Sequence, residues 1–522
     1  LPRRRRRLPP LSSTPSRPTP HLRFSLSRAR ALPPSPMLFF WPAVQPLLRL
    51  SSHLLSLHAL AAPSAGEREL PGNLLVREHV IQVPVCHEAG PAGPLGAIDL
   101  FVRELVPADK PSDTTLPCLL YLQGGPGFPS RRPTAPPSGW VKAALEQRYR
   151  VFLLDQRGTG RSSPVTAQSL ASLASPSLQA EYLSHFRADS IVRDCELVRR
   201  QVCKVPKLTL LGQSFGGFCI LTYLSLFPKS IERAIFTFGL APVGRSAEEV
   251  YRATFTRMEE RNRRFYERYP EDVEVVRAIV ASLEKEPPAL PRGGTLTPRR
   301  FLQLGLLLGS ASGFEDLHDL LELSKCPPPT ATGESSTLLP DHFLLAVEEA
   351  QQQFETNPIY WLLHEAIYCD GAAEGAARGP SDWAAERVQA SLGERWDYTR
   401  RLEEGAPPVL FSGEMHYSWM GDDYAWLRPL KPAAQLLAGK QDWGPLYDQQ
   451  VLSSADCPPV ACLVSYEDIY VERKFAEETA TMLGGKAKLW ITNEFQHSGL
   501  RDDPAVFEKL LKMAKGVIAI PS

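Results

Sequence analysis

The first 66 residues of this 522-residue chain contain no acidic residue and no lysine, although they hold ten arginines. The chain as a whole balances 58 basic against 58 acidic residues, so the rest carries 48 against 58, a net charge of −10. A mildly acidic body excludes broad nucleic-acid binding, which needs a basic face for phosphate contacts. No Cys-x-x-Cys pair occurs among the nine scattered cysteines, an odd number, which excludes a zinc ribbon and a disulfide framework. Reduced thiols buried as small hydrophobes are expected instead. No apolar run reaches the ~20 residues of a membrane span; Pro42, Pro46 and Arg49 interrupt the most apolar leader segment. No internal repeat is present.

Residues 1–70 are expected to form a leader apart from the folded protein. Its Arg, Pro, Ser and Leu content is that of an organelle transit peptide. The chain starts at Leu1 and its first methionine is Met37, so a shorter transit peptide or a secretory signal from Met37, or translated upstream sequence, are alternatives. A transit peptide implies a plastid or mitochondrion; otherwise the expectation is the cytoplasm.

Beyond the leader, strand-like runs at 78–85, 97–105, 116–122, 149–155, 207–212 and 231–238 are spaced by helical patterns near 180–202 and 215–227. Strands alternating with helices predict an α/β fold with a mostly parallel sheet. From 241 to 445 strand signal is scarce, and helix-period stretches at 245–285, 299–325 and 340–370 are divided by Pro- and Gly-rich breaks. Strand signals return at 458–468 and 485–497, before a closing helix at 504–515. The expected organisation is a first core segment (71–240), a helical cap inserted after the sixth strand (241–445) and a second core segment (446–522).

"LTLLGQSFGGF" places Ser214 in G-x-S-x-G between a strand and a helix. A sharp turn there lifts Oγ above the sheet, provided Gly212 and Gly216 lack side chains. A serine nucleophile needs a base and an orienting acid, in the chain order Ser, acid, His for this arrangement. Of the five later histidines, His497 alone follows a late strand, and the strand before it ends in Glu467 and Asp468. Asp468 is the better candidate acid, with Glu467 in reserve.

"YLQGGPGFPS" (121–130) packs three glycines behind another strand. It lacks the Gly-Lys-Ser/Thr of a phosphate loop, and Pro126 and Pro129 block the helix that a dinucleotide fingerprint opens. A bare corner is one reading. The other is a source of oxyanion donors, with the N–H of Phe215 as one and that of Gly124 or Gly125 as the second.

These motifs resemble those of the proline iminopeptidase (prolyl aminopeptidase) family of α/β-hydrolases, from about residue 75 to the C-terminus. "QGGPG" is similar to the family's H-G-G-P-G, with Gln123 for His as in a longer plant and fungal branch. "DQRGTGRS" (155–162) is similar to D-Q-R-G-x-G-x-S, and "GQSFGG" to G-x-S-W/F-G-G, with Phe215 where many members carry Trp. The resemblance implies an α/β-hydrolase fold, a Ser214–His497–Asp468 triad and release of N-terminal proline from peptides without metal or organic cofactor. It implies recognition of the substrate's free amine by cap glutamates. "SGEMHYSW" resembles the element carrying one of them, at Glu414, and "IYWLLHEAIYCDG" the other, at Glu365. His416 reads as structural. The alternatives are an esterase or other small-molecule hydrolase, and a catalytically silent binding protein on the same scaffold.

Overall fold

The computed structural model describes residues 66–518 apart from 108, 111–112, 326–338 and 372–378. Residues 1–65, and with them the targeting and start-site expectations, lie outside the described residues. Nine strands form one sheet: β1 (Arg68–Leu70), β2 (Leu74–Pro84), β3 (Ala97–Pro107), β4 (Cys118–Leu122), β5 (Arg150–Leu154), β6 (Leu208–Gln213), β7 (Ile231–Thr237), β8 (Val460–Ser465) and β9 (Ala487–Thr492). Their spatial order is β1-β2-β3-β5-β4-β6-β7-β8-β9. Pairing is antiparallel from β1 through β3 to β5 and parallel from β5 to β9.

The central parallel strands are buried along their whole length, as strands covered on both faces must be. Their period-2 alternation sorts side chains onto two cores. Leu119, Tyr121, Leu153, Leu211, Ile235 and Leu463 meet the helices Gly139–Glu146 and Ala505–Ala514 on one face. Leu120, Leu122, Phe152, Leu210, Phe236 and Cys462 belong to the other core, which includes the helix Phe215–Leu226 and continues into the helices between β7 and β8.

Those intervening helices are the cap. Ser246 opens the first, Ala247–Arg268, with a capping box: Glu249 N–H donates to Ser246 Oγ at 3.3 Å, and Ser246 N–H to Glu249 Oε2 at 2.9 Å. The cap follows the seventh strand rather than the sixth, because the three-residue β1 lies inside the stretch assigned to the leader. The helical pattern near 180–202 is two helices, Pro176–Ser184 and Ala188–Val198, separated where Phe186 turns into the core. Among the described residues, no helix is long and apolar enough to cross a membrane. The eight described cysteines are free thiols, seven of them buried.

Arg157 of "DQRGTGRS" lies fully buried. Its Nε and Nη2 donate to the two Asp194 oxygens at 2.7 and 2.6 Å, and its Nη1 to the carbonyls of Val85 and His185 at 2.8 Å each. Removing one partner strands a buried charge. Arg157→Met is therefore expected to cost about 3–5 kcal/mol of stability, read from the urea midpoint. A loss below about 1 kcal/mol would mean that His87, 2.9 Å from Asp194, compensates.

Candidate active site

Ser214 sits between β6 and the helix Phe215–Leu226 at φ 54° and ψ −126°, a conformation that β-carbon-bearing residues rarely adopt. Its N–H is held by the Thr237 carbonyl at 2.9 Å. The turn closes only because neighbouring backbones can touch. A β-carbon on Gly216 would overlap the Leu122 carbonyl, and one on Gly239 the Ser214 carbonyl. Phe215 is the first helical residue, where N–H groups lack intrahelical acceptors.

The histidine loop after β9 is tied to this turn. Gln213 Nε2 donates to the His497 carbonyl at 2.9 Å, and Thr237 Oγ1 to Gln213 Oε1 at 2.9 Å, which fixes that amide's orientation. His497 Nδ1 lies 2.8 Å from Asp468 Oδ2. The other Asp468 oxygen accepts the N–H groups of Tyr470 and Val471 at 2.8 and 3.1 Å. Asp468 is buried and cannot swing away. Glu467 points elsewhere: its carboxylate pairs with Arg264 of the first cap helix at 2.6 Å. Both residues lie in the turn after β8, which ends at Ser465, and of the two carboxylates it is Asp468 that meets the His497 ring.

The glycine loop lies directly against the elbow. A β-carbon on Gly124 would come within 2.9 Å of Ser214 Cβ, and Gly125 has φ 125°. "DQRGTGRS" braces this loop from behind. Gln156 Nε2 donates to the Gln123 carbonyl at 3.0 Å, while Asp155 accepts Ser130 N–H at 3.1 Å and Arg161 N–H at 3.0 Å. Sequence reasoning recognised this motif as a signature but assigned it no task, because the partners are 25 to 33 residues apart.

A cavity of about 640 Å³ is lined by Gly124, Gly125, Ser214 and His497 from the core and by Phe354, Tyr360 and Glu414 from the cap. Glu414 is the one carboxylate lining it among the described residues. Burial pushes its carboxyl up to about 7, against the opposing pull of the Tyr360 hydroxyl and the His497 side chain. Tyr360 Oη donates to Glu414 Oε1 at 2.6 Å. Tyr360 had no part in the sequence reading; its pairing with Glu414 spans 54 positions. Behind it, His416 stacks on His364 with centroids 4.0 Å apart, and burial holds both well below the usual histidine range.

The structure does not bring Glu365 into this cavity. Its two oxygens accept the N–H groups of Ala384 and Ala385, each at 3.0 Å, at the start of the helix Ala384–Ser391. That helix has no side-chain cap of its own, and the buried carboxylate satisfies its orphan donors. Burial also raises Glu365 to about 7, offset by those N–H groups and the Ser381 hydroxyl. The pattern "HEAIY" fits both roles, so the sequence alone did not separate an amine ligand from a distant helix cap.

A family model described as the alpha/beta hydrolase fold matches residues 117–277. The chain is 46% identical over 436 residues to the proline iminopeptidase of Aeromonas sobria, covering 83% of this chain and 95% of that protein. It is 34% identical over 440 residues to the proline iminopeptidase aneH of Aspergillus aculeatus, covering 82% and 91% respectively. Among solved structures, a proline iminopeptidase from Mycobacterium smegmatis is similar over 84% of this chain and 100% of its own, at 13% identity and a TM-score of 0.38.

Proposed function

The chain belongs to the proline iminopeptidase family of α/β-hydrolases, and from that membership we propose that it is a serine aminopeptidase releasing N-terminal proline from peptides through a Ser214–His497–Asp468 triad. The observation that carries this beyond the family is Glu414, the one described carboxylate in the cavity that Ser214 lines. A substrate ammonium leaving water needs an anion, and charge-assisted hydrogen bonds are the strong kind. With the amine held at Glu414, only the first residue's carbonyl stands over Ser214. Apolar side chains such as Leu304, Leu307 and Phe354 offer the proline ring a wall.

His497 Nε2 takes the Ser214 Oγ proton as Oγ attacks that carbonyl. Asp468 holds Nδ1–H and stabilises the imidazolium that forms. The N–H groups of Phe215 and of Gly124 or Gly125 receive the oxyanion. His497 then protonates the departing amine, and water hydrolyses the prolyl-enzyme by the same steps in reverse. The chemistry draws on no metal or organic cofactor.

A panel of aminoacyl arylamides tests this, with the proline arylamide expected to be hydrolysed fastest. Hydrolysis of a short-chain aryl ester with none of the proline arylamide would overturn it. The pH dependence follows from Glu414. Its neutral acid prevails below about 7 and its carboxylate above, and only the carboxylate pairs with ammonium. KM for the proline arylamide is therefore expected to fall as pH rises through about 7, until the substrate amine itself deprotonates.

A further inference from the structure

The Ser214 cavity has two ends of opposite chemistry. Glu414 stands on the cap side, whereas Arg131 and Arg501 line the same cavity from the core. Arg131 follows the glycine loop, six residues after Gly125, and Arg501 lies one helical turn past His497. Both are exposed, and neither guanidinium has an ion-pair partner among the described residues. They also line an adjoining groove of about 150 Å³, which shares Gln123 with the main cavity and adds Arg132 and Trp140. Among the described residues, no cap residue and no carboxylate lines that groove. The two arginines act on one spot: burial pushes the Tyr121 phenol up to about 12, and Arg501 and Arg131 both work against it. Tyr121 Oη in turn donates to Gln123 Oε1 at 2.8 Å.

We propose that Arg131 and Arg501 form a leaving-side subsite that binds a carboxylate of the departing peptide, chiefly the C-terminal carboxylate of a di- or tripeptide. This rests on the aminopeptidase reading, which places the substrate amine at Glu414. With that end fixed on the cap, the chain beyond the scissile bond must run past Ser214 toward the core-side groove. An extended chain advances about 3.3–3.6 Å per residue, so the C-terminus of a short peptide stays within the groove and that of a long one passes beyond it. Unpaired exposed guanidinium groups meet a carboxylate with little desolvation cost, and two planar forks suit its two oxygens. The substrate class is therefore short peptides read at both ends, amine at the cap and carboxylate at the core.

The test compares Pro-Ala-Ala with Pro-Ala-Ala-amide on the full chain, as the ratio of their kcat/KM values within each variant. The wild-type ratio is expected to be about tenfold, to shrink as salt screens the exposed arginines, and to fall to about one in R131A/R501A. An unchanged ratio in the double variant, or a wild-type ratio near one, overturns the proposal. Pro-Asp-Ala-amide separates the two sources of carboxylate: a rate equal to Pro-Ala-Ala extends the subsite to acidic side chains, and one equal to Pro-Ala-Ala-amide confines it to the C-terminus. Failure of the wild type on proline arylamide would instead strike the aminopeptidase reading. Because both arginines are exposed, the variants are expected to fold, and the ratio is independent of the active fraction.

Discussion

Ser214→Ala is expected to lower kcat/KM for a proline arylamide by on the order of 10⁶-fold, with the folded state intact by circular dichroism. The nucleophile is lost, and the remaining oxyanion donors and binding contacts supply only a small residual rate over water. Alanine keeps the β-carbon and with it the strain of φ 54°, so the urea midpoint should not move. Ser214→Gly should be as inactive but more stable by about 1 kcal/mol, since glycine adopts positive φ freely. Activity of the alanine variant within tenfold of wild type would remove Ser214 from the mechanism. Equal midpoints for the two variants would show that the elbow stores no strain.

Glu414→Gln is expected to reduce kcat/KM for the proline arylamide by about 10²–10⁴-fold, equivalent to the ~3–5 kcal/mol lost when one partner of a buried ion pair is removed. The amide keeps the shape and can still accept from Tyr360, but it offers no charge to the ammonium. A short-chain aryl ester without an amine should lose less than about threefold, and the change of KM near pH 7 should vanish for the proline substrate. Parallel losses on both substrates would make Glu414 a structural residue of the cavity wall.

The strand–turn–helix around Ser214 and the late placement of His497 were legible because each is a local pattern: a buried run, a glycine pair, a helix. The cap was legible only as helical periodicity. Its interior breaks, such as the 3₁₀ segment Gln303–Gly309, come from tertiary contacts: Gly305 lies so close to the Ser412 carbonyl that a side chain would overlap it. Strand β1 is three residues long, too short for alternation to register. Asp468 and Glu467 differ by the partners that the turn after β8 gives each: Tyr470, Val471 and His497 for the one, Arg264 for the other. Glu365 shows the same limit. Its local sequence suggested a ligand, whereas its use is set by a helix start nineteen positions later.

The contacts at Gly216 and Gly239 also bear on inheritance. Every missense change of a glycine codon adds at least a β-carbon, and at these two positions that carbon falls on a backbone carbonyl of another segment. Neither codon has a neutral missense neighbour at the level of the folded elbow. Alleles altered there should behave as nulls whichever amino acid they specify. Point mutation can thus silence the gene at sites that contribute no functional group.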